Sequence, residues 1–478
     1  MSRYVTLPDM RDVPTPTVTI DRLGPLIGPE RLSGMQELAA GMRERMSGHV
    51  VWNVNSTASG GGVAEMLVGL VAYARGAGVD TRWLVAAGDP AFFTLTKRIH
   101  NGLHGSPGDG GPLGEEERRH YDEISAAEGE ALQARVGPGD VVILHDPQTL
   151  GLVRPAVDAG AQVIWRCHVG TEKHDEFSTR AWDFLRPYLE QAPLAVFSRA
   201  GYVPAFVDPS RVAIIPPAID PYSAKNEDLS PDTVAAVLRR IGYVDAGGVE
   251  PAPVRWHAED DTERTVSRAA HVVGEGPPPA IDVPVVVQVS RWDRLKDMQG
   301  LFEAFAAEFA GEGYHLALVG PNMADVADDP EGQEVLEECT RAWEALPSDV
   351  RRQVRLVTLP MDDTDENAAM VNAIQRQAAV VVQKSLMEGF GLTVAEAMWK
   401  ARPVVASGIG GILDQVVDEE NGLLLRDPTD HAEVGTAMRR LLENPELAER
   451  LGGAARERVR EQFLPDRQLR QWIELISR

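Results

Sequence analysis

Residues 379–412 read AVVVQKSLMEGFGLTVAEAMWKARPVVASGIGGI. An apolar, β-branched run (379–382) leads into a polar turn containing Glu388-Gly389-Phe390-Gly391. A helix-forming stretch follows from Leu392, and a second apolar run lies at 403–406. Short buried runs separated by a helix length and punctuated by glycine predict a strand–helix–strand unit with parallel strands. The same alternation extends outward. Further strands are predicted at 285–289, 315–319 and 354–358, and two helices over 432–462, broken near Asn444-Pro445. The first half carries its own series, at 50–54, 81–86, 140–144, 162–166, 194–197 and 212–215, with helices over 63–75 and 115–135. The fold class is therefore α/β, in two separate series.

A chain of 478 residues is too long for one ordinary core. The two series divide it into an N-terminal domain over 1–220 and a C-terminal domain over 221–463, joined near 216–221. Between the series, 245–283 is rich in Gly, Pro and charge and reads as an insertion or extended connection. No short internal repeat is visible.

Composition narrows the partners. The formal net charge of −25 opposes any general affinity for nucleic acid or anionic lipid, while leaving room for a local basic pocket. Only Cys167 and Cys339 occur, too few and too far apart for a disulfide framework or a zinc site. The first twenty residues lack the apolar core of a signal peptide, and no run is long enough to span a bilayer. A soluble, cytoplasmic protein without membrane or nucleic-acid partners is expected, with a homodimer left open.

Two segments carry chemistry. In VVWNVNSTASGGGVAEMLVGLVAYARGAG (50–78) a strand, the glycine run Gly60–Gly62 and a helix follow one another. Gly61 and Gly62 would let the backbone approach an anion or a sugar at the helix start, or they make only a tight turn. Glu65, on the first helical turn, faces the same crevice or solvent. The spacing is not G-x-G-x-x-G, so a dinucleotide fingerprint is absent. Asp146 and His168 each stand just past a strand end, where α/β ligands bind, although a lone histidine is as often structural. Lys97, His100 and Asn101 share a helix face and either order sugar hydroxyls or cap and solvate.

In VVVQVSRWDRLKD (285–297), Arg291 and Lys296 lie beyond the first strand of the second series. Two cations there suit a diphosphate, or form an ordinary surface pair. Glu388 can accept from sugar hydroxyls, backbone N–H groups from Gly389 through Leu392 can hold phosphate oxygens, and Glu396 can accept from ribose. The pairs Asp260-Asp261 and Asp362-Asp363 sit in polar loop sequence and read as solvated charge rather than metal ligands.

The Glu-x7-Glu stretch together with SRWDRLKD resembles the donor site of retaining glycosyltransferases of family four. That resemblance implies a GT-B fold, two Rossmann-like domains facing across a cleft. NVNSTASGGGVAEML, FFTLTKRIHNGLHG, HDPQTLGL, PPAIDPYSAKN and QKSLMEGFGLTVAEAMWK narrow it to the trehalose synthase subgroup, which moves glucose from a nucleotide-glucose to free glucose. The resemblance implies catalytic or donor-binding roles for Arg291, Lys296, Glu388 and Glu396. It places His168 at the reacting sugar, and Gly61 and Gly62 near the donor. Asp146, Lys97, Asn101 and Glu65 are acceptor candidates. The substrates would be a UDP-, ADP- or GDP-glucose and a small sugar, with no cofactor and no metal, since lysine and arginine replace one. The C-terminal helix over 464–478 would return to the first domain. A trehalose phosphorylase, another small-acceptor glucosyltransferase and a non-catalytic sugar-nucleotide sensor are the rival readings. The insertion at 245–283 departs from the family pattern.

Overall fold

In the computed structural model, which describes residues 10–58, 61–173, 175–325 and 330–478, the apolar runs of the first half form one seven-stranded sheet. Its strands are β1 (Arg11–Asp12), β2 (Val51–Asn55), β3 (Thr81–Val85), β4 (Val141–His145), β5 (Gln162–Cys167), β6 (Leu194–Phe197) and β7 (Val212–Ile214). The spatial order is β1-β3-β2-β4-β5-β6-β7, parallel except for the edge strand β1. Strands covered on both faces are mostly apolar, as in VVILH of β4 and QVIWRC of β5, whose His145 and Arg166 are buried polar exceptions. Asn53 and Asn55 interrupt β2 yet are buried. Asn55 Oδ1 accepts from Trp83 Nε1 at 2.7 Å, so its desolvation is compensated.

The chain divides into two compact units, Met1–Ile219 with Glu461–Arg478, and Asp220–Arg460. The helix Pro465–Ile476 therefore belongs to the first unit. Its Leu469, Trp472, Leu475 and Ile476 are buried, and each such side chain contributes roughly 1.5–3 kcal/mol. Arg467 on this helix donates to the Pro216 and Pro217 carbonyls, and Ile219 N donates to Phe463 O at 2.9 Å.

The second unit holds another seven-stranded sheet, with β11 (Val285–Val289), β12 (His315–Pro321), β13 (Val354–Leu359), β14 (Val380–Gln383), β15 (Val404–Ser407) and β16 (Leu423–Leu425) all parallel. Their order, β13-β12-β11-β14-β15-β16, is that of a dinucleotide-binding sheet. The segment 245–283 takes secondary structure of its own. It forms a hairpin of β8 (Val254–His257) and β9 (Glu263–Val266), then β10 (His271–Val273), which adds an antiparallel edge beside β13. Val266 is fully buried, and Glu366 accepts from the Ser267 and Arg268 backbone N–H groups at 2.5 and 2.8 Å. The hairpin is thus anchored by hydrogen bonds despite its Gly and Pro content. Among the described residues no helix is long and apolar enough to cross a membrane.

Candidate active site

Strand order locates the crevice in each unit. In the second sheet, β12 and β13 lie to one side of β11, and β14, β15 and β16 to the other. Loops leaving β11 and β14 at their carboxyl ends therefore diverge, and such a switch point opens a ligand crevice. The first loop carries Arg291 and Lys296, the second Glu388.

The structure joins two of these three. Lys296 ends a 3-10 turn, Arg294–Lys296, and its Nζ lies 2.7 Å from Glu388 Oε2. Both side chains are largely enclosed, 14% and 12% exposed. Ser385 Oγ donates to the same carboxylate oxygen at 3.1 Å. Leu386 N donates to Leu295 O at 2.7 Å, tying the loops by backbone as well. Arg291 stands apart: its side chain is 51% exposed and pairs with Asp293 at 2.9 Å. Behind Lys296, Asp297 takes a left-handed conformation (φ 47°) and accepts from Gly300 N at 3.2 Å, starting the helix Met298–Phe309.

The EGFG turn is built by its glycines. Gly391 adopts φ 86° at the start of the helix Leu392–Trp399, a conformation that costs residues with a Cβ. A Cβ on Gly411 would lie 2.6 Å from Phe390 Cα and 2.7 Å from Gly389 O, so the two glycine loops can meet only without one. Gly411 N donates to Gly389 O at 3.0 Å, and buried Gln415 donates to the Phe390 carbonyl. Phe390 is 7% exposed and anchors the turn. Glu396 lies farther along the helix, 1% exposed, with Lys225 Nζ 3.6 Å from its carboxylate.

The first sheet has its own switch point, between β2 and β4. Beyond β2 lies the glycine run, of which Gly60 falls outside the described residues. Gly61 is extended (φ 176°), and a Cβ there would meet nothing within 4 Å. Neither its backbone nor its packing within the protein demands a glycine. Gly62, which opens the helix Gly62–Gly76, and Glu65 are exposed. Beyond β4 stands Asp146, left-handed at φ 65°, held by Trp165 Nε1 donating to its carbonyl at 3.0 Å. Its Oδ1 accepts from His168 N at 2.8 Å. His168 Nε2 in turn lies 3.0 Å from His145 Nδ1. Asp146 and His168, both singled out from sequence, therefore touch. Lys97 is exposed and Asn101 half-buried on the helix Pro90–Leu103, and neither bonds to Asp146 or His168. Both aspartate pairs have local tasks: Asp261 takes φ 62° in the β8–β9 turn, and Asp363 caps the helix Thr364–Gln377.

Burial raises the Asp146 carboxyl to about 7, with the His168 backbone N–H and the Arg166 charge pulling it back. Its folded value exceeds the ordinary 3.8, so the fold favours the neutral acid. The corresponding stability is complete below about pH 4 and is lost as pH rises through about 7. Asp146→Asn should therefore gain on the parent by an amount on the order of 1–4 kcal/mol between about pH 5 and pH 8. Calorimetric Tm profiles of the two proteins check this; curves that stay parallel over that range refute it.

Comparison with known proteins gives the family. Residues 53–204 match the family described as trehalose synthase, N-terminal domain, and residues 278–458 match glycosyl transferases group 1. The chain is 35% identical to a trehalose synthase of Rubrobacter xylanophilus, over 95% of each chain. The chain belongs to the trehalose synthase family. A trehalose synthase of Pyrococcus horikoshii is 32% identical over 95% of this chain and 94% of its own. A structure of trehalose-6-phosphate synthase, OtsA, superposes with a TM-score of 0.66 at 14% identity, covering 90% of this chain and 99% of that one. The fold is GT-B, and the enzyme is a trehalose-related glycosyltransferase.

His145, Asn53, Lys225, Ser385 and the Asp297–Lys384 ion pair are site groups that sequence reasoning passes over. The signals were a histidine closing an apolar strand in HDP and a lysine at the end of the apolar strand VVVQ.

Proposed function

We propose that the enzyme transfers glucose, with retention at the anomeric carbon, from UDP-, ADP- or GDP-glucose to free glucose, forming trehalose reversibly in the cytoplasm. The Lys296–Glu388 pair at the switch point of a dinucleotide-type sheet, beside the start of the helix Leu392–Trp399, carries this reading. In the step proposed, the bond between the glucose C1 and the diphosphate oxygen breaks, and its electron pair leaves with the diphosphate. The acceptor hydroxyl oxygen bonds to C1 from the same face, and its proton passes to the departing phosphate oxygen. Lys296 and Arg291 neutralise the leaving charge in place of a metal, while N–H groups at Gly389 through Leu392 hold phosphate oxygens. Glu388 orients hydroxyls of the transferred glucose, and Glu396, steadied by Lys225, receives the ribose. His168 contacts the reacting sugar and Gly61 and Gly62 the donor. Asp146, Lys97, Asn101 and Glu65 serve the acceptor.

Incubation with each of the three nucleotide-glucoses and a panel of free sugars, with the product identified by NMR, tests the proposal. α,α-Trehalose from glucose is expected. A different disaccharide overturns the acceptor assignment, and cleavage of trehalose by phosphate without nucleotide replaces the reading with a phosphorylase.

A further inference from the structure

His145 and His168 of the first unit belong to a hydrogen-bonded chain that has a direction. Asn53 Oδ1 lies 3.1 Å from His145 Nε2, and His145 Nδ1 lies 3.0 Å from His168 Nε2. The rings stack at 14° with centroids 5.3 Å apart. An amide oxygen only accepts, so His145 donates from Nε2. A neutral imidazole has a single N–H, which leaves His145 Nδ1 bare and able only to accept. The proton between the rings therefore sits on His168 Nε2, and His168 Nδ1 carries a lone pair.

The surroundings favour the neutral form of both rings. Burial, then the Arg166 charge, pushes His145 down to about 3, and the same causes hold His168 well below its ordinary value. His145 and Asn53 are 1% and 2% exposed, so water does not compete for the chain. His168 is half-buried, and its Nδ1 makes no hydrogen bond among the described residues. The backbone bond from His168 N to Asp146 Oδ1 fixes where the ring begins.

We propose that His145, oriented by Asn53, is a positioning residue that locks His168 as the Nε2–H tautomer, so that His168 recognises a sugar hydroxyl by accepting its hydrogen. The inference deepens the proposed function and rests on its placement of His168 at the reacting sugar. A hydroxyl facing a bare nitrogen must donate. Fluorine accepts weakly and cannot donate, so at that one position a fluoro sugar should serve no better than a deoxy sugar.

The test uses monodeoxy and monofluoro glucose units in donor and acceptor. In the parent enzyme, one position is expected at which both analogues lose roughly 10- to 100-fold in kcat/KM, and equally. His145→Phe frees the His168 ring to carry its proton on Nδ1, and the fluoro analogue should then outperform the deoxy analogue there. Asn53→Asp, whose carboxylate can only accept, should keep the parent pattern. Equal discrimination by His145→Phe and the parent overturns the proposal. Should His145→Phe fail to fold, long-range ¹H–¹⁵N NMR of the ligand-free parent reads the tautomer directly: His168 Nδ1 is expected as the unprotonated nitrogen, and a protonated Nδ1 overturns the lock. An unprotonated Nδ1, with no sugar position sensitive to His168→Ala, instead overturns the sugar-contacting reading and with it the hydroxyl recognition.

Discussion

Lys296→Ala is expected to lower kcat by about 10²–10³ at saturating donor, the cost typical of removing one preorganised charged partner from a developing oxyanion. The ammonium is largely enclosed and already held at 2.7 Å by Glu388, so it needs little reorganisation when the diphosphate departs. Arg291→Ala should cost less. Its side chain is half exposed, and its charge is shared with Asp293 two residues away, where solvent screens it. Lys296→Ala also removes the ammonium that holds Glu388, while the Ser385 hydroxyl still donates to it, so donor KM should rise as well. Glu388→Gln distinguishes the two effects: it keeps a hydrogen-bonding head group and leaves the cation in place, so its loss should appear in sugar discrimination more than in leaving-group sensitivity. Steady-state kinetics on the three variants would decide. A Lys296→Ala enzyme within about threefold of parent kcat, or one less impaired than Arg291→Ala, would remove Lys296 from the leaving-group role.

Most of the parallel strands were legible because a strand covered on both faces leaves little place for polar residues, and β6 and β11 coincide with the apolar runs 194–197 and 285–289, whereas the three-residue parallel strand β16 was missed. The other strands that escaped are those whose existence depends on a neighbour. β1 is two exposed residues, Arg11 and Asp12, and forms only because β3 offers an unpaired edge. β10 forms on the free edge of β13, and β8 reads VRWH, with alternate residues half-buried. Gly and Pro around these strands signal loop, and tertiary pairing overrides that signal.

The candidate site divides in the same way. The turn at Gly389–Gly391 was readable because its conformation is demanded locally, by a left-handed Gly391 at a helix start. The contact between Lys296 and Glu388, 92 residues apart, was readable only through the strand order that brings β11 beside β14. Arg291 was legible as a cation but not in its partner, since Asp293 takes it through a local ion pair. His145 was hidden by its own position: as the last residue of VVILH it looks like the end of a strand, and only the fold sets it against Asn53 and His168.

The largest expected stability effect lies behind Lys296. Lys384 is fully buried, and its ammonium pairs with the Asp297 carboxylate. Asp297 also begins the helix Met298–Phe309 and follows Lys296 directly, so one side chain neutralises a buried charge and shapes the turn that aims another. Asp297→Asn isolates the charge. Asparagine tolerates the left-handed backbone and can still accept from Gly300 N, so the cap survives. Lys384 is then a buried cation without its counter-charge, at a cost on the order of 3–5 kcal/mol. Asp297→Asn/Lys384→Met removes both charges and should recover most of that loss, because a hydrophobic group of similar length needs no partner. Urea unfolding of the single and double variants measures the coupling. A single variant within about 1 kcal/mol of the parent, or a double variant no more stable than the single, would show that the pair is not what holds the turn. Turnover adds a second reading: if the pair aims Lys296, the double variant regains stability but not full kcat, since the Asp297 carboxylate that braced the turn is gone.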